Sequence, residues 1–236
     1  MDLGVLVVIA SGLAAGAAHV VSGVDHLAAL LPLSVGGRLR AFGLGARWGL
    51  GHSLGVLLVG ALAVGLRSRL DLESLGQLGE SAVGVMLVGI GALGLRRALK
   101  VEVHAHDHDH DGRAHSHWHL HAAGDDDHAA QDRRHAHTAF AAGTVHGVAG
   151  TAHVLGVLPA VALPGTLMAG AYLVSFGAAT VATMGVFAGV VGELSGRVSA
   201  DRPRLLKRLL LGASASTVLV GLLWLAAPFL GLELPA

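Results

Sequence analysis

The chain of 236 residues has no cysteine and only four methionines. Disulfides are impossible, a thiolate metal site is excluded and a thioether site is weak. Charge is scarce too. Only 14% of residues are charged, the formal net charge is zero and the mean hydropathy is +0.64. Without a basic excess, no nucleic-acid partner is expected. The first residues include Asp2 and no Lys or Arg. The small-residue run "LAAGAA" is therefore not expected to end a cleaved signal peptide.

What is present is apolar. Hydrophobic residues make up 53% of the chain, and there are 35 glycines. Several stretches of about 20 residues are nearly free of charge, the length that crosses a bilayer core of roughly 30 Å. A polytopic helical membrane protein is predicted, with the lipid bilayer as its surroundings and glycines at the helix contacts.

Six spans are predicted, at 3–35, 42–66, 81–99, 139–163, 165–192 and 205–230. The first is too long for one straight helix, and Gly23 and Pro32 are places to break it. Arg38, Arg40 and Arg47 follow span one, Arg96, Arg97 and Lys100 follow span three, and Arg197, Arg202, Arg204, Lys207 and Arg208 follow span five. This alternation places both termini outside and the polar segment 101–138 in the cytoplasm.

Residues 14–32 read "AAGAAHVVSGVDHLAALLP" and residues 141–159 read "AAGTVHGVAGTAHVLGVLP". Aligned without a gap, His19 matches His146, Gly23 matches Gly150, His26 matches His153 and Pro32 matches Pro159. Fainter matches continue, such as "GLGH" at 49–52 with "GAAT" at 177–180. Three spans per copy make the second copy inverted. The expected fold is therefore all-α: residues 1–100 and 139–236 form two inverted three-helix repeats with discontinuous first helices, joined by the loop 101–138. Inverted repeats with interrupted helices place a substrate site near the bilayer midplane.

Five histidines lie in the spans: His19, His26, His52, His146 and His153. Ionisable groups at such depth are functional candidates. In a regular helix His19 and His26 would sit about 10.5 Å apart along the axis. Breaks at Ser22-Gly23 and Ala149-Gly150 are predicted to bring each matched pair together around a metal ion. Asp25 has no counterpart, because Ala152 stands in its place. It is expected to bind the cation or to orient an imidazole.

The loop is the other histidine reservoir. Residues 104–121 read "HAHDHDHDGRAHSHWHLH", with His104, His106, His108, His110, His115, His117, His119 and His121 among acidic and small residues. The segment is predicted to be disordered without metal and to act as a metal buffer or sensor.

"HVVSGVDHLAALLP", "WGLGHSLGVLLVG", the histidine-rich loop and "HGVAGTAHVLGVLP" together resemble the nickel/cobalt transporter superfamily. Within it, the urease accessory UreH-like membrane proteins are the most similar group. The resemblance spans nearly the whole chain. It carries over Asp25 and His26 from a motif of His, four residues and Asp-His, and His52 from a second motif. Here five residues separate His19 from Asp25, which turns His19 by about 100° in a helix.

The resemblance implies a permease of the bacterial inner membrane. Ni2+ or Co2+ would be its transported substrate rather than a prosthetic group, and a cytosolic nickel chaperone a possible partner. Uptake through a midplane site of His19, Asp25, His26, His52, His146 and His153 is the expected function, with no enzymatic activity. The alternatives are an efflux permease, a metal-sensing or chaperone-docking protein, and an intramembrane zinc-dependent hydrolase, in which three histidines hold zinc and an acid activates water. Duplicated halves argue against the hydrolase.

Overall fold

A computed structural model describes residues 3–35, 37–66, 72–100, 102–110, 113–121, 128–149 and 152–230. At 60–66, 72–79, 102–110, 113–121, 128–136, 152–155, 199–201 and 203 it describes the backbone alone. The described residues are largely helical. Helix α1 (Leu3–Ser22) ends where Gly23 turns extended, at φ −75° and ψ 98°, and the short α2 (Val24–Leu30) resumes at once. The interruption costs little hydrogen bonding. The Gly23 N–H still donates to His19 O at 3.1 Å, and the Leu27 N–H donates to Gly23 O at 3.3 Å.

Then come α3 (Arg38–Leu66) and α4 (Leu72–Lys100), followed by α5 (His128–Ala149), α6 (Ala152–Ala162), α7 (Gly165–Asp201) and α8 (Pro203–Leu230). The second predicted break, at Ala149-Gly150, falls where Gly150 and Thr151 lie outside the described residues. The matched prolines differ. Pro32 falls in the turn after α2, whereas Pro159 lies inside α6, where its missing N–H removes one rung of the helix ladder.

Among the described residues, four helical segments are long and apolar enough to cross a membrane: Leu3–Ser22, Glu80–Lys100, Gly165–Val198 and Arg204–Leu230. Helices α3 and α5 are described with side chains over only part of their length, and the stretch 48–66 of α3 contains no Asp, Glu, Lys or Arg.

Between α4 and α5, the expectation of a disordered loop is corrected. Strands β1 (Glu102–His110) and β2 (Arg113–His121) pair antiparallel, with His104 opposite His119, His106 opposite His117 and His108 opposite His115. The reason is legible afterwards. Histidine alternates with other residues at the strand period of two, and Asp111-Gly112 is a strong hairpin-turn dipeptide.

The helices pair across the chain. Helix α3 packs along both α5 and α7, α1 along α7, and α4 along α8. The main apolar core gathers Val20, Leu30, Trp48, Leu87, Met184 and Trp224. A smaller one joins Val8, Ala160, Tyr172 and Phe176. Val7, Leu167, Val174, Leu219 and Phe229 face outward.

Candidate metal centre

Each helix end at the centre carries a histidine. His19 lies in the last turn of α1, three residues before that helix stops, and His146 lies three residues before the last described residue of α5. Helix C-termini present partial negative charge, which favours a cation nearby. Gly23 lets α2 restart beside α1, so His26 returns toward His19. Their ring centroids are 4.8 Å apart, about half the separation a straight helix would impose.

Helix α3 brings His52 to the same place. Its Nε2 lies 3.1 Å from His19 Nε2, a hydrogen bond whose donor depends on the tautomers. The His26 ring is 4.8 Å from that of His52 and 4.7 Å from that of His146. Imidazoles from three other helices, α1, α3 and α5, thus converge on His26.

Asp25 joins the two halves. Its Oδ1 lies 3.0 Å from His26 Nδ1, and its Oδ2 lies 3.1 Å from His146 Nε2. Oδ1 also accepts the His26 backbone N–H at 2.9 Å, which fixes the carboxylate. Asp25 is 3% exposed, and His26, His52 and His146 are 0% exposed. Such burial of ionisable groups is costly in a membrane interior unless they pair with one another or hold an ion.

Among the described residues, two groups of three have metal-ligand spacing: His19 with His26 and His52, and Asp25 with His26 and His146. Within each, the ligand atoms lie within 4.8 Å of one another. A bound ion would draw them inward, since metal–nitrogen bonds are about 2.0–2.1 Å long.

Of the predicted site residues, His19, Asp25, His26, His52 and His146 come together. His153 stands in the first turn of α6, and its side chain lies outside the described residues. His104, His106, His108, His110, His115, His117, His119 and His121 occupy the hairpin by backbone; their side chains lie outside the described residues too.

Sequence reasoning missed two aromatic neighbours. The Phe176 ring is 5.6 Å from His19, and the fully buried Trp48 ring is 6.1 Å from His146. Spacing holds a signal for Trp48, which precedes His52 by four residues and so shares its helix face. It also missed how tightly α3 and α5 approach. A Cβ on Gly143 would strike the carbonyl of Trp48, and one on Gly147 that of His52.

No family model matches the chain, and no solved structure matches it. Two plant proteins from Arabidopsis thaliana do. The chain is 32% identical over 225 residues to chloroplast protein FOR GROWTH AND FERTILITY 2, covering 95% of this chain and 57% of that protein. It is 33% identical over 225 residues to chloroplast protein FOR GROWTH AND FERTILITY 1, covering 95% of this chain and 60% of that one. The chain thus spans somewhat over half the length of these relatives.

These likenesses overturn the expected nickel or cobalt permease, in uptake or efflux, and its bacterial inner-membrane location, because the relatives are named for the chloroplast and for growth and fertility. The error has a physical source. Imidazole with carboxylate accepts most first-row divalent ions, so the donor set fixes no particular metal. Apolar spans likewise fix no particular membrane. What the chain is similar to is a pair of chloroplast proteins, along nearly its whole length.

Proposed function

We propose that the protein is a membrane-embedded binding protein for a divalent transition-metal ion, built from two inverted halves that contribute unequally to one centre. The observation that carries the reading is the convergence of one carboxylate and four imidazoles, four of the five groups nearly inaccessible to solvent. Neutral imidazoles and a carboxylate are the donors such ions prefer in a site without sulfur.

Pairing of the helices supports the inverted halves. The first helix of each half packs on the second helix of the other, α1 on α7 and α5 on α3. Gly16 meets the Phe176 carbonyl as its repeat partner Gly143 meets that of Trp48. Phe176 stands by His19 as Trp48 stands by His146. Unlike the halves' shared histidines, Asp25 and His52 have no ligating counterparts, since Ala152 and Thr180 occupy those places. The alignment with the two chloroplast proteins covers nearly the whole chain, so the setting attached to this proposal is theirs, a chloroplast membrane or one of equivalent kind.

The test is metal content. Purified protein whose eleven histidines within 104–137, in the hairpin and the start of α5, are changed to serine is exposed to a mixture of first-row divalent ions, desalted and measured by mass spectrometry. One retained ion per chain is expected, lost on His26→Ala. Equal retention by the parent and His26→Ala would sink the reading.

A further inference from the structure

The five groups are not one ligand shell. They form two triads that share one residue: a wholly imidazole triad of His19, His26 and His52, and a triad of Asp25, His26 and His146 that contains the carboxylate. We infer that these are two alternative stations for a single ion, with His26 as the ligand passed from one to the other. This rests on the metal-binding reading above and adds where the ion sits and how it gets there.

Geometry sets the order of the stations. His19 is partly exposed, whereas His26, His52 and His146 are fully buried and Asp25 nearly so. The imidazole triad is therefore the outer station, met first by an arriving ion. The carboxylate triad is sealed and lies across the junction between α2 and α5.

Electrostatics sets the preference. Three neutral imidazoles leave a dication's charge uncompensated, whereas Asp25 removes part of it where the low dielectric makes each charge count most. The sealed station is the resting place. Double occupancy is disfavoured, because two dications would face each other across the His26 ring with one carboxylate between them. The outer triad captures, the inner triad retains, and His26 keeps at least one bond to the ion during the shift.

The test uses the full-length chain carrying the serine-substituted loop, with Cu2+ as the probe and pulsed electron paramagnetic resonance to count coordinated imidazoles. The parent is expected to bind one Cu2+ with two imidazoles. Asp25→Asn and His146→Ala are expected to bind one Cu2+ with three imidazoles, at a Kd raised by about 10–100-fold. His19→Ala and His52→Ala, which lose the outer station, are expected to keep the two-imidazole spectrum but to load and release Cu2+ more slowly than the parent. Two Cu2+ per parent chain, an Asp25→Asn spectrum identical to the parent, or loss of binding in His19→Ala would each overturn the two stations while leaving metal binding intact. No Cu2+ in the parent overturns the metal-binding reading as well. The comparison of Asp25→Asn with His19→Ala decides the matter even where His26→Ala fails to fold.

Discussion

Asp25 is the carboxylate in a cluster otherwise made of imidazoles. An aspartate at the centre of a membrane helix costs about 2.5–3.5 kcal/mol on insertion scales. Its two oxygens meet His26 and His146, one from each half of the chain, and a backbone N–H. Gly23 holds this arrangement open. Its φ of −75° suits any residue, so alanine there meets no backbone strain. A Cβ would instead collide with His26 Nδ1 and crowd Asp25 Oδ1 at 3.0 Å. Gly23→Ala is thus expected to fold and keep its thermal midpoint within a few degrees, yet to bind metal about 10–100-fold more weakly. Wild-type affinity measured by competition with a chelating dye would contradict the placement of His26. The approach of His26 to His19 was legible at this scale, because a histidine seven residues from another can share a centre only if the helix between them breaks. The link from Asp25 to His146 was not, since it joins residues whose proximity only the packing of α2 and α5 decides.

At the scale of elements, α3 and α5 are joined through backbone contact. Gly51 and Gly55 on α3 face Phe140 O and Thr144 O, while Gly143 and Gly147 on α5 face Trp48 O and His52 O. The four glycines set the distance at which His52 and His146 meet, with ring centroids 5.4 Å apart. Gly147→Leu is predicted to push α3 from α5, lower the thermal midpoint measurably in detergent and abolish metal retention. Gly170→Leu is the control, because nothing lies within 4 Å of a Cβ added there. Equal loss in both variants would show a general intolerance of bulk rather than a positioned contact. Small residues at helix contacts were readable from composition, but which glycines touch which helix was not, because glycine is too frequent here for spacing alone to choose. The hairpin was misread for the opposite reason: its polarity suggested disorder, although its alternation and Asp-Gly turn already had the strand period.

For the whole molecule the open quantity is the number of crossings. Four segments qualify by length and apolar character among the described residues, while the inverted halves proposed above require six crossings, adding α3 and the stretch of α5 and α6. The two counts differ in one observable. With four crossings, two precede the hairpin, so it lies on the same side as both termini. With six, three precede it, and it lies on the opposite side. The absence of cysteine makes the measurement clean. Single cysteines placed before Leu3, at Ser116 and after Leu230 can be probed in sealed vesicles with a membrane-impermeant maleimide. Six crossings predict that both terminal cysteines label from one face and Ser116 only from the other. Labelling of all three from one face would leave α3 short of a full crossing. His52 could then reach the centre only from a re-entrant helix, and the equivalence of α3 with α7 would fail.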